Sequence, residues 1–167
     1  MRVGVDAGHG GMDGGVVGRK TGVKESDVNL AVSFRLRDVL TDMGFDVILT
    51  RKTEAGLYDT ATRGFKKRDM QKRKEIIQNQ NPDLVVSIHM NKFPLSTRRG
   101  AQVCYQQGDA TSQTLATLVQ ESLNTYINIP ILGRSFEPIS GDFYVCKIKK
   151  PAIIVECGFL SNFEEFC

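Results

Sequence analysis

The segment DLVVSIHMN, residues 83–91, gives the clearest indication of the fold. Its first six residues are almost continuously apolar, which is typical of a strand that is covered on both faces in a parallel sheet. Asn81-Pro82 comes directly before it and ends a preceding helical pattern. The segment therefore predicts an α/β protein with helices on both faces of the sheet.

Segments typical of strands and of helices alternate along the rest of the chain. Short apolar runs predict further strands at residues 3–5, 45–50, 100–106, 143–147 and 152–156. Helical spacing of apolar residues predicts a helix capped by Ser26 and stopped by Gly44, and others at about 68–80 and 110–127. A last helix is expected to begin at residues 161–165 and to continue past the end of the chain. We predict one domain, residues 1–167, with an open, mostly parallel, twisted sheet.

The overall composition is ordinary for one globular domain. The chain has 167 residues and a net charge of only +3, so composition gives no support to a nucleic-acid partner. The basic segment RGFKKRDMQKRK, residues 63–74, is interpreted as a solvated helix face and loop, with contact to an anionic polymer as the alternative. No apolar run approaches the roughly 18 residues of a membrane span.

The four cysteines show no C-x-x-C spacing and lie mostly in apolar, strand-like runs. They are Cys104, Cys146, Cys157 and Cys167. This distribution indicates buried thiols rather than a disulfide framework or a zinc knuckle.

The glycine-rich loop in VGVDAGHGGMDGG, residues 3–15, admits two interpretations: a phosphate cradle or a mount for His9. Counted from Gly8, the dinucleotide pattern G-x-G-x-x-G has Asp13 in its last position. Counted from Gly14, the P-loop pattern has Arg19 where a glycine must precede Lys-Thr. Both patterns also require a helix directly after the glycines, whereas the first predicted helix begins near residue 27. The sequence therefore favours the presentation of His9.

Both histidines of the chain lie at the carboxyl ends of predicted strands. His9 lies just beyond the first strand, His89 directly follows residues 83–88, and Glu156 closes residues 152–156. Ligand sites of open α/β sheets form beyond the carboxyl ends of the strands, so these three side chains are expected to converge. Glu25, between the glycine loop and the first helix, is a further acidic group near the same edge.

Two imidazoles and a carboxylate are a donor set suited to catalytic zinc, which keeps one position open for water. The metal lowers the pKa of that water to about 7, and a further carboxylate can transfer its proton to a leaving amine. The alternative is that each residue is an ordinary hydrogen-bonded group or surface charge. Spacing alone leaves both interpretations open.

A set of short motifs occurs in order along the chain: DAGHGGMDGG (6–15), KE (24–25), TR (50–51), SIHMN (87–91), GAQ (100–102) and VECGFLSN (155–162). Together they resemble the zinc-dependent N-acetylmuramoyl-L-alanine amidases of bacterial cell walls (the amidase-3 type), from Arg2 essentially to the C-terminus. The resemblance implies cleavage of the amide bond between the lactyl group of N-acetylmuramic acid and the L-alanine of the stem peptide.

By position in these motifs, the resemblance implies that His9, Glu25 and His89 bind one zinc ion and that Glu156 is the catalytic glutamate. Cys157 follows Glu156, and its side chain is expected to point away from that of Glu156 if both lie on one strand.

Five further residues are expected near the site. Asn91 is expected to orient a ligand or the substrate, and Asp6, Asp13 or a backbone carbonyl to orient the imidazole of His9. Arg51 and Arg73 have two open roles, a salt bridge within the fold or a contact with a sugar carboxylate.

Because the chain has no wall-binding repeats and carries the basic segment between the second strand and the second helix, it is most similar to the spore-cortex, germination-specific amidases. This implies a role in the muramic-lactam pathway of the cortex, peptidoglycan as substrate and an activating protein partner. It also implies an extracytoplasmic location, with a leader or anchor expected outside this chain. The alternatives are another zinc peptidase or carboxypeptidase of peptidoglycan, and a non-catalytic wall-binding module.

Overall fold

The computed structural model describes residues 1–94 and 97–162. Its strands are β1 (Arg2–Ala7), β2 (Asp46–Leu49), β3 (Leu84–Asn91), β4 (Gln102–Gln106), β5 (Ile139–Gly141) and β6 (Ala152–Phe159). Its α-helices are α1 (Glu25–Asp42), α2 (Phe65–Gln80), α3 (Ala110–Leu123) and α4 (Ile129–Leu132). A π-helical turn, Asn124–Asn128, joins α3 to α4.

The six strands form one sheet in the order β2-β1-β3-β6-β4-β5. The first four strands of this order run parallel to one another, β4 runs antiparallel to β6, and β5 pairs in parallel with β4. The prediction of a mostly parallel α/β sheet is therefore confirmed. None of the helices within the described ranges combines the length and hydropathy that a membrane crossing requires.

Helices cover both faces of the sheet, as predicted. On one face, core residues such as Val5, Ile88 and Ile153 pack with α1 and α3. On the other face, Ile77 of α2 packs with a cluster that includes Val85 and Ile154. The alternation of Ile153 and Ile154 between the two clusters follows from the two-residue period of a strand.

The prediction that Ser26 caps the first helix is wrong. Helix α1 begins at Glu25, two residues before the predicted start, and the side chain of Ser26 bonds to Asp27 instead. Backbone carbonyls of the glycine loop do the capping: the N–H of Glu25 donates to Val16, and the N–H of Ser26 donates to Gly14. Because these carbonyls satisfy the first free N–H groups of the helix, no side-chain cap is needed.

The predicted strand at 143–147 is also wrong. Tyr144–Cys146 form a 3₁₀ turn, in which Val145 and Cys146 are buried in the cluster beneath α2. The apolar residues of this segment therefore reflect burial rather than strand pairing. The edge strand β5 was missed, because Ile-Ser-Gly has no apolar alternation to reveal it.

Two helix boundaries also differ from the predictions. Helix α2 begins at Phe65, three residues before the predicted start, and α3 ends at Leu123 before the π-helical turn. Residues 161 and 162 form a turn and an irregular position, and the rest of the predicted last helix, residues 163–167, lies outside the described residues.

Candidate active site

The carboxyl ends of β1, β3 and β6 lie side by side, because these strands are adjacent in the sheet. His9 follows the end of β1, and His89 lies within β3, which is longer than predicted. His89 and Glu156 are partners in the register of β3 and β6. The sheet therefore brings both histidines and Glu156 to one edge.

His9, Glu25 and His89 form a compact cluster of candidate metal ligands. One nitrogen of each ring and one carboxylate oxygen lie within 4.8 Å of one another. Oε1 of Glu25 is 3.2 Å from Nε2 of His9 and 3.0 Å from Nδ1 of His89. Two imidazoles and a carboxylate are a donor set that catalytic metal sites use, so this cluster can hold a metal ion.

Glu25 is buried at the first residue of α1, where backbone donors hold both of its oxygens. Its Oε2 accepts a hydrogen bond from the N–H of Val16 (2.8 Å), and its Oε1 accepts one from the N–H of Met90 (3.1 Å). Burial by itself would raise the pKa of Glu25, but hydrogen bonds from His89 and His9 outweigh it and hold the pKa well below its usual range. The carboxylate is therefore ionised, which is the form that binds a metal.

His9 has a left-handed backbone conformation, with φ of 61°. Such a conformation is uncommon outside glycine and needs support from its surroundings. Two buried arginines supply this support: Arg73 donates to the carbonyls of Ala7 and His9, and Arg51 donates to those of Ala7 and Gly8. The two guanidinium groups thereby fix the loop that presents His9.

Asp13 orients the imidazole of His9. Its Oδ2 lies 3.0 Å from Nδ1 of His9, and its Oδ1 accepts a hydrogen bond of 2.9 Å from Nζ of Lys66. Burial by itself would lower the pKa of His9, but the neighbouring Glu25 and Asp13 outweigh it and raise the pKa. Since Nδ1 faces Asp13, Nε2 is left to face Glu25. A carboxylate behind a ligating imidazole fixes the tautomer of the ring in this way.

Two glycines of the loop give space to the ligand side chains. A Cβ atom on Gly8 would overlap with the ring of His89, and one on Gly15 would overlap with the carboxylate of Glu25. Gly15 also has a φ of 67°, a conformation that disfavours a side chain. These two positions therefore require glycine, because the side chains of His89 and Glu25 occupy the space.

Glu156 lies beside His89 with one oxygen unpaired. Its Oε2 is buried and has no hydrogen-bond partner within residues 1–94 and 97–162. Burial raises the pKa of Glu156 and the charge of Glu25 adds to this effect, while His89 and His9 oppose it. A buried carboxylate with a raised pKa is suited to taking up and returning a proton.

Asp6 and Arg73 form a buried ion pair behind the loop. Nη1 of Arg73 lies 2.8 Å from Oδ1 of Asp6, and Nε lies 2.6 Å from Oδ2 of Asp69. Burial by itself would raise the pKa of Asp6, but Arg73 and hydrogen bonds from Ser87 and Thr50 lower it to about 2. Arg73 thus pairs with two carboxylates of the chain itself, which favours a salt bridge within the fold over a contact with a sugar carboxylate. Asp6 supports the loop through Arg73, whereas Asp13 contacts the imidazole.

Asn91 ends β3, and its described contacts are with the backbone. Its Oδ1 accepts a hydrogen bond from the N–H of Lys92 (2.8 Å), and its carbonyl accepts one from Leu160 (3.2 Å). Within the described ranges, none of these contacts joins Asn91 to the three-ligand cluster.

Cys157 packs into the apolar core beneath α1 and α3. Burial, with a smaller effect of Glu156, raises the pKa of its thiol to about 12. The thiol is therefore protonated, whereas a metal ligand is a thiolate. Cys104 and Cys146 are buried free thiols, and Cys167 lies outside the described residues.

Two residues near the cluster were missed from the sequence: Asn29, which contacts Glu25, and Lys66, which contacts Asp13. Nδ2 of Asn29 donates to the carbonyl of Gly8 (3.1 Å) and lies 3.4 Å from Oε1 of Glu25. The spacing of four residues from Glu25 places both side chains on one helix face and was the available signal. No local signal exists for Lys66, because its contact with Asp13 spans 53 residues.

Other residues of the basic segment 63–74 have local contacts. Arg68 donates to carbonyls of the preceding loop, Lys72 pairs with Glu75, and Lys74 lies over the ring of Tyr144. These contacts agree with a helix face and loop rather than with a dedicated anion site.

The sequence and the fold both match known amidases. The chain is 37% identical over 161 residues to the germination-specific N-acetylmuramoyl-L-alanine amidase of Bacillus subtilis (strain 168), covering 95% of this chain and 66% of that protein. It is 35% identical over 122 residues to the N-acetylmuramoyl-L-alanine amidase AmiA of Escherichia coli (strain K12), covering 72% of this chain and 37% of that protein. The chain thus spans just under two thirds of the first relative and about a third of the second.

A solved structure is similar over nearly the whole chain. The CwlD amidase of Clostridioides difficile, in complex with the GerS lipoprotein, has a TM-score of 0.89 and 37% identity, covering 98% of this chain and 85% of that one. Residues 3–166 match the family model described as N-acetylmuramoyl-L-alanine amidase. On this evidence the chain belongs to the Amidase_3 family of N-acetylmuramoyl-L-alanine amidases.

Proposed function

We propose that this chain hydrolyses the amide bond between the lactyl group of N-acetylmuramic acid and the L-alanine of the peptidoglycan stem peptide. The proposal includes one zinc ion held by His9, Glu25 and His89, and residues 1–167 acting as one catalytic domain. The main support is one juxtaposition: a cluster of three candidate ligand side chains with Glu156 beside it, whose buried Oε2 has no partner among the described residues.

The donor set fits zinc. A structural zinc site is usually closed by four protein ligands, whereas a catalytic site has three and leaves one position open. The cluster offers three ligands, and the pKa of Glu25 is held low enough for the carboxylate to be ionised. When bound, a zinc ion supplies Lewis acidity, which polarises the scissile carbonyl and lowers the pKa of the attacking water to about 7.

In this mechanism, the carboxylate of Glu156 accepts a proton from the attacking water at its buried oxygen. The oxygen of that water forms a bond to the lactyl carbonyl carbon, and the bond from that carbon to the alanine nitrogen then breaks. Glu156 returns the proton to the nitrogen, which leaves as a free amine. The raised pKa of Glu156 supports both transfers, because the group must hold the proton between them.

The remaining residues hold the ligands in place. Asp13 fixes the orientation of the His9 ring, and the N–H groups of Val16 and Met90 fix the carboxylate of Glu25. Because these contacts form without a substrate, little reorganisation is needed when the reaction begins.

We also propose that the chain acts outside the cytoplasmic membrane, in spore-cortex formation through the muramic-lactam pathway, and that it requires a protein partner. The germination-specific relative from Bacillus subtilis supports the first part. The similar CwlD amidase, which forms a complex with a lipoprotein, supports the second.

The test is metal analysis of the purified chain combined with digestion of purified peptidoglycan, followed by mass analysis of the products. A muramoyl amidase releases intact stem peptides with a free N-terminal alanine. A carboxypeptidase would instead release residues from the other end of the peptide, and a wall-binding module would bind without any product. Either result, obtained with zinc supplied and with candidate partners added, refutes the proposal.

A further inference from the structure

Asn29 is a fully buried amide on α1 that lies one helical turn after Glu25. Its Nδ2 donates to the carbonyl of Gly8 (3.1 Å), directly before His9, and lies 3.4 Å from Oε1 of Glu25. One side chain therefore contacts both the loop that carries His9 and the carboxylate of Glu25. Since both neighbours are acceptors, the nitrogen of the amide must face them.

The other end of this amide is unpaired. Oδ1 of Asn29 is buried and has no hydrogen-bond partner among residues 1–94 and 97–162. A buried acceptor without a partner destabilises the folded state, because it loses its bonds to water and gains none in return. Such a conflict with local stability is typical of residues that serve a site.

The oxygen that Asn29 contacts is the centre of the cluster. Oε1 of Glu25 is within 3.2 Å of nitrogen atoms from His9 and His89 and of the N–H of Met90. Without Asn29, the carboxylate would lose the donor on its own helix, and the carbonyl of Gly8 would keep, among the described residues, the bond from Arg51. The first turn of α1, which carries Glu25, and the loop that carries His9 would then lose the side chain that contacts both.

We propose that Asn29 is a positioning residue for the metal site: it sets the geometry of Glu25 relative to the His9 loop and thereby increases metal affinity. This role rests on the proposed zinc site. It acts through Glu25 and Gly8, and Asn29 itself does not bind the metal.

The test compares Asn29→Leu with Ser33→Ala. Leucine has a shape similar to asparagine but no donor. Ser33 is a matched control, because it is also fully buried one turn further along α1 and its hydroxyl has no partner among the described residues. The measurements are the zinc Kd, from competition with a chromogenic chelator, and the thermal unfolding temperature of the metal-free protein.

We expect the zinc Kd of Asn29→Leu to rise by at least about tenfold, as when other residues that hold a metal ligand are replaced. The unfolding temperature of this variant should change little, because removal of the unpaired acceptor offsets the loss of the donor to Gly8. Ser33→Ala should keep the zinc Kd of the wild type. A folded Asn29→Leu protein with wild-type zinc affinity, or an equal loss of affinity in Ser33→Ala, overturns the proposal.

If Asn29→Leu does not fold, as judged by circular dichroism, Asn29→Ser takes its place, since a serine hydroxyl can donate to only one of the two acceptors. The same rise in zinc Kd is expected, and an unchanged Kd is again contrary to the proposal. Zinc binding by the wild type distinguishes the proposed zinc site from the role of Asn29. If the wild type does not bind zinc, both are overturned. Wild-type zinc binding and wall cleavage with unchanged variants overturn the role of Asn29 alone.

Discussion

The two faces of the sheet differ most at the carboxyl ends of β1, β3 and β6. Towards α1 and α3, the strands present apolar core residues such as Val5, Ile88 and Val155. On the alternate positions, they present Asp6, which pairs with Arg73 of α2, as well as His89 and Glu156. At these strand ends, one residue packs in the apolar core towards α1 and α3, and the next belongs to the ion pair or the candidate site on the other face. Substitutions of adjacent residues should separate effects on the core from effects on the candidate site.

The largest effect is expected for His89→Ala compared with Ile88→Val. Loss of the imidazole removes one of the three proposed ligands, so zinc content and wall hydrolysis should both be lost. Ile88→Val removes one methyl group from the apolar face and should cost about 1 kcal/mol of stability while zinc is retained. Metal analysis and urea unfolding of both variants check this, and zinc retained by His89→Ala would contradict the ligand assignment.

A smaller loss of activity is expected for Glu156→Gln. The amide keeps the shape of the side chain but cannot accept the proton, so wall hydrolysis should fall by roughly 10²- to 10⁴-fold. Zinc content should stay at the wild-type level, because Glu156 lies beside the cluster rather than within it. Release of stem peptides is measured together with zinc, and a metal-free Glu156→Gln protein would count against the assignment.

A smaller effect is expected at Gly8, which leaves space for the ring of His89. A Cβ on Gly8 would overlap with the ring of His89, whereas one on Gly14 would make ordinary contacts with the side chain of Lys24, at 3.4 Å or more. Gly8→Ala should therefore weaken zinc binding by about 10- to 100-fold, and Gly14→Ala should not. Chelator competition on the two variants decides this, and equal zinc affinity would show that the His89 ring can move without consequence.

The smallest effect is one of stability at acid pH. The pKa of Asp6 is lowered from 3.8 to about 2 by the folded state, so its contribution is present above about pH 4 and is lost as the pH falls towards 2. The shift corresponds to about 2 kcal/mol. In urea unfolding of metal-free protein, the advantage of the wild type over Asp6→Asn should be largest above pH 4 and should shrink towards pH 2. An advantage that does not change over this range would contradict the role of the ion pair.

The sequence indicated much of the fold because strand and helix periodicities are local. The alternation of apolar runs was enough for β1, β2, β3, β4 and β6. It failed at residues 143–147, where apolar residues are buried in a 3₁₀ turn, and at β5, whose three residues carry no pattern. The prediction that Ser26 caps α1 failed because the capping groups are the carbonyls of Gly14 and Val16, which lie outside the helix.

The candidate site, like the fold, was predictable only in part. His9, His89 and Glu156 were predicted to converge because parallel strands end at one edge of a sheet. The support behind them was not predictable in detail. Asp13, which contacts the His9 ring, was one of several candidates, Lys66 was interpreted only as part of a solvated basic segment, and Asn29 was not predicted.

By itself, the sequence determined which residue types stand at the strand ends and in what order the family motifs occur, because both are properties of short segments. Only the tertiary structure decided that Oε1 of Glu25 lies between the two imidazoles and that Arg51 and Arg73 hold the left-handed turn at His9. It also decided that Asn29 joins Gly8 to Glu25. These contacts span from 4 to 64 residues and depend on side-chain geometry that forms only when β1, β3, α1 and α2 pack together.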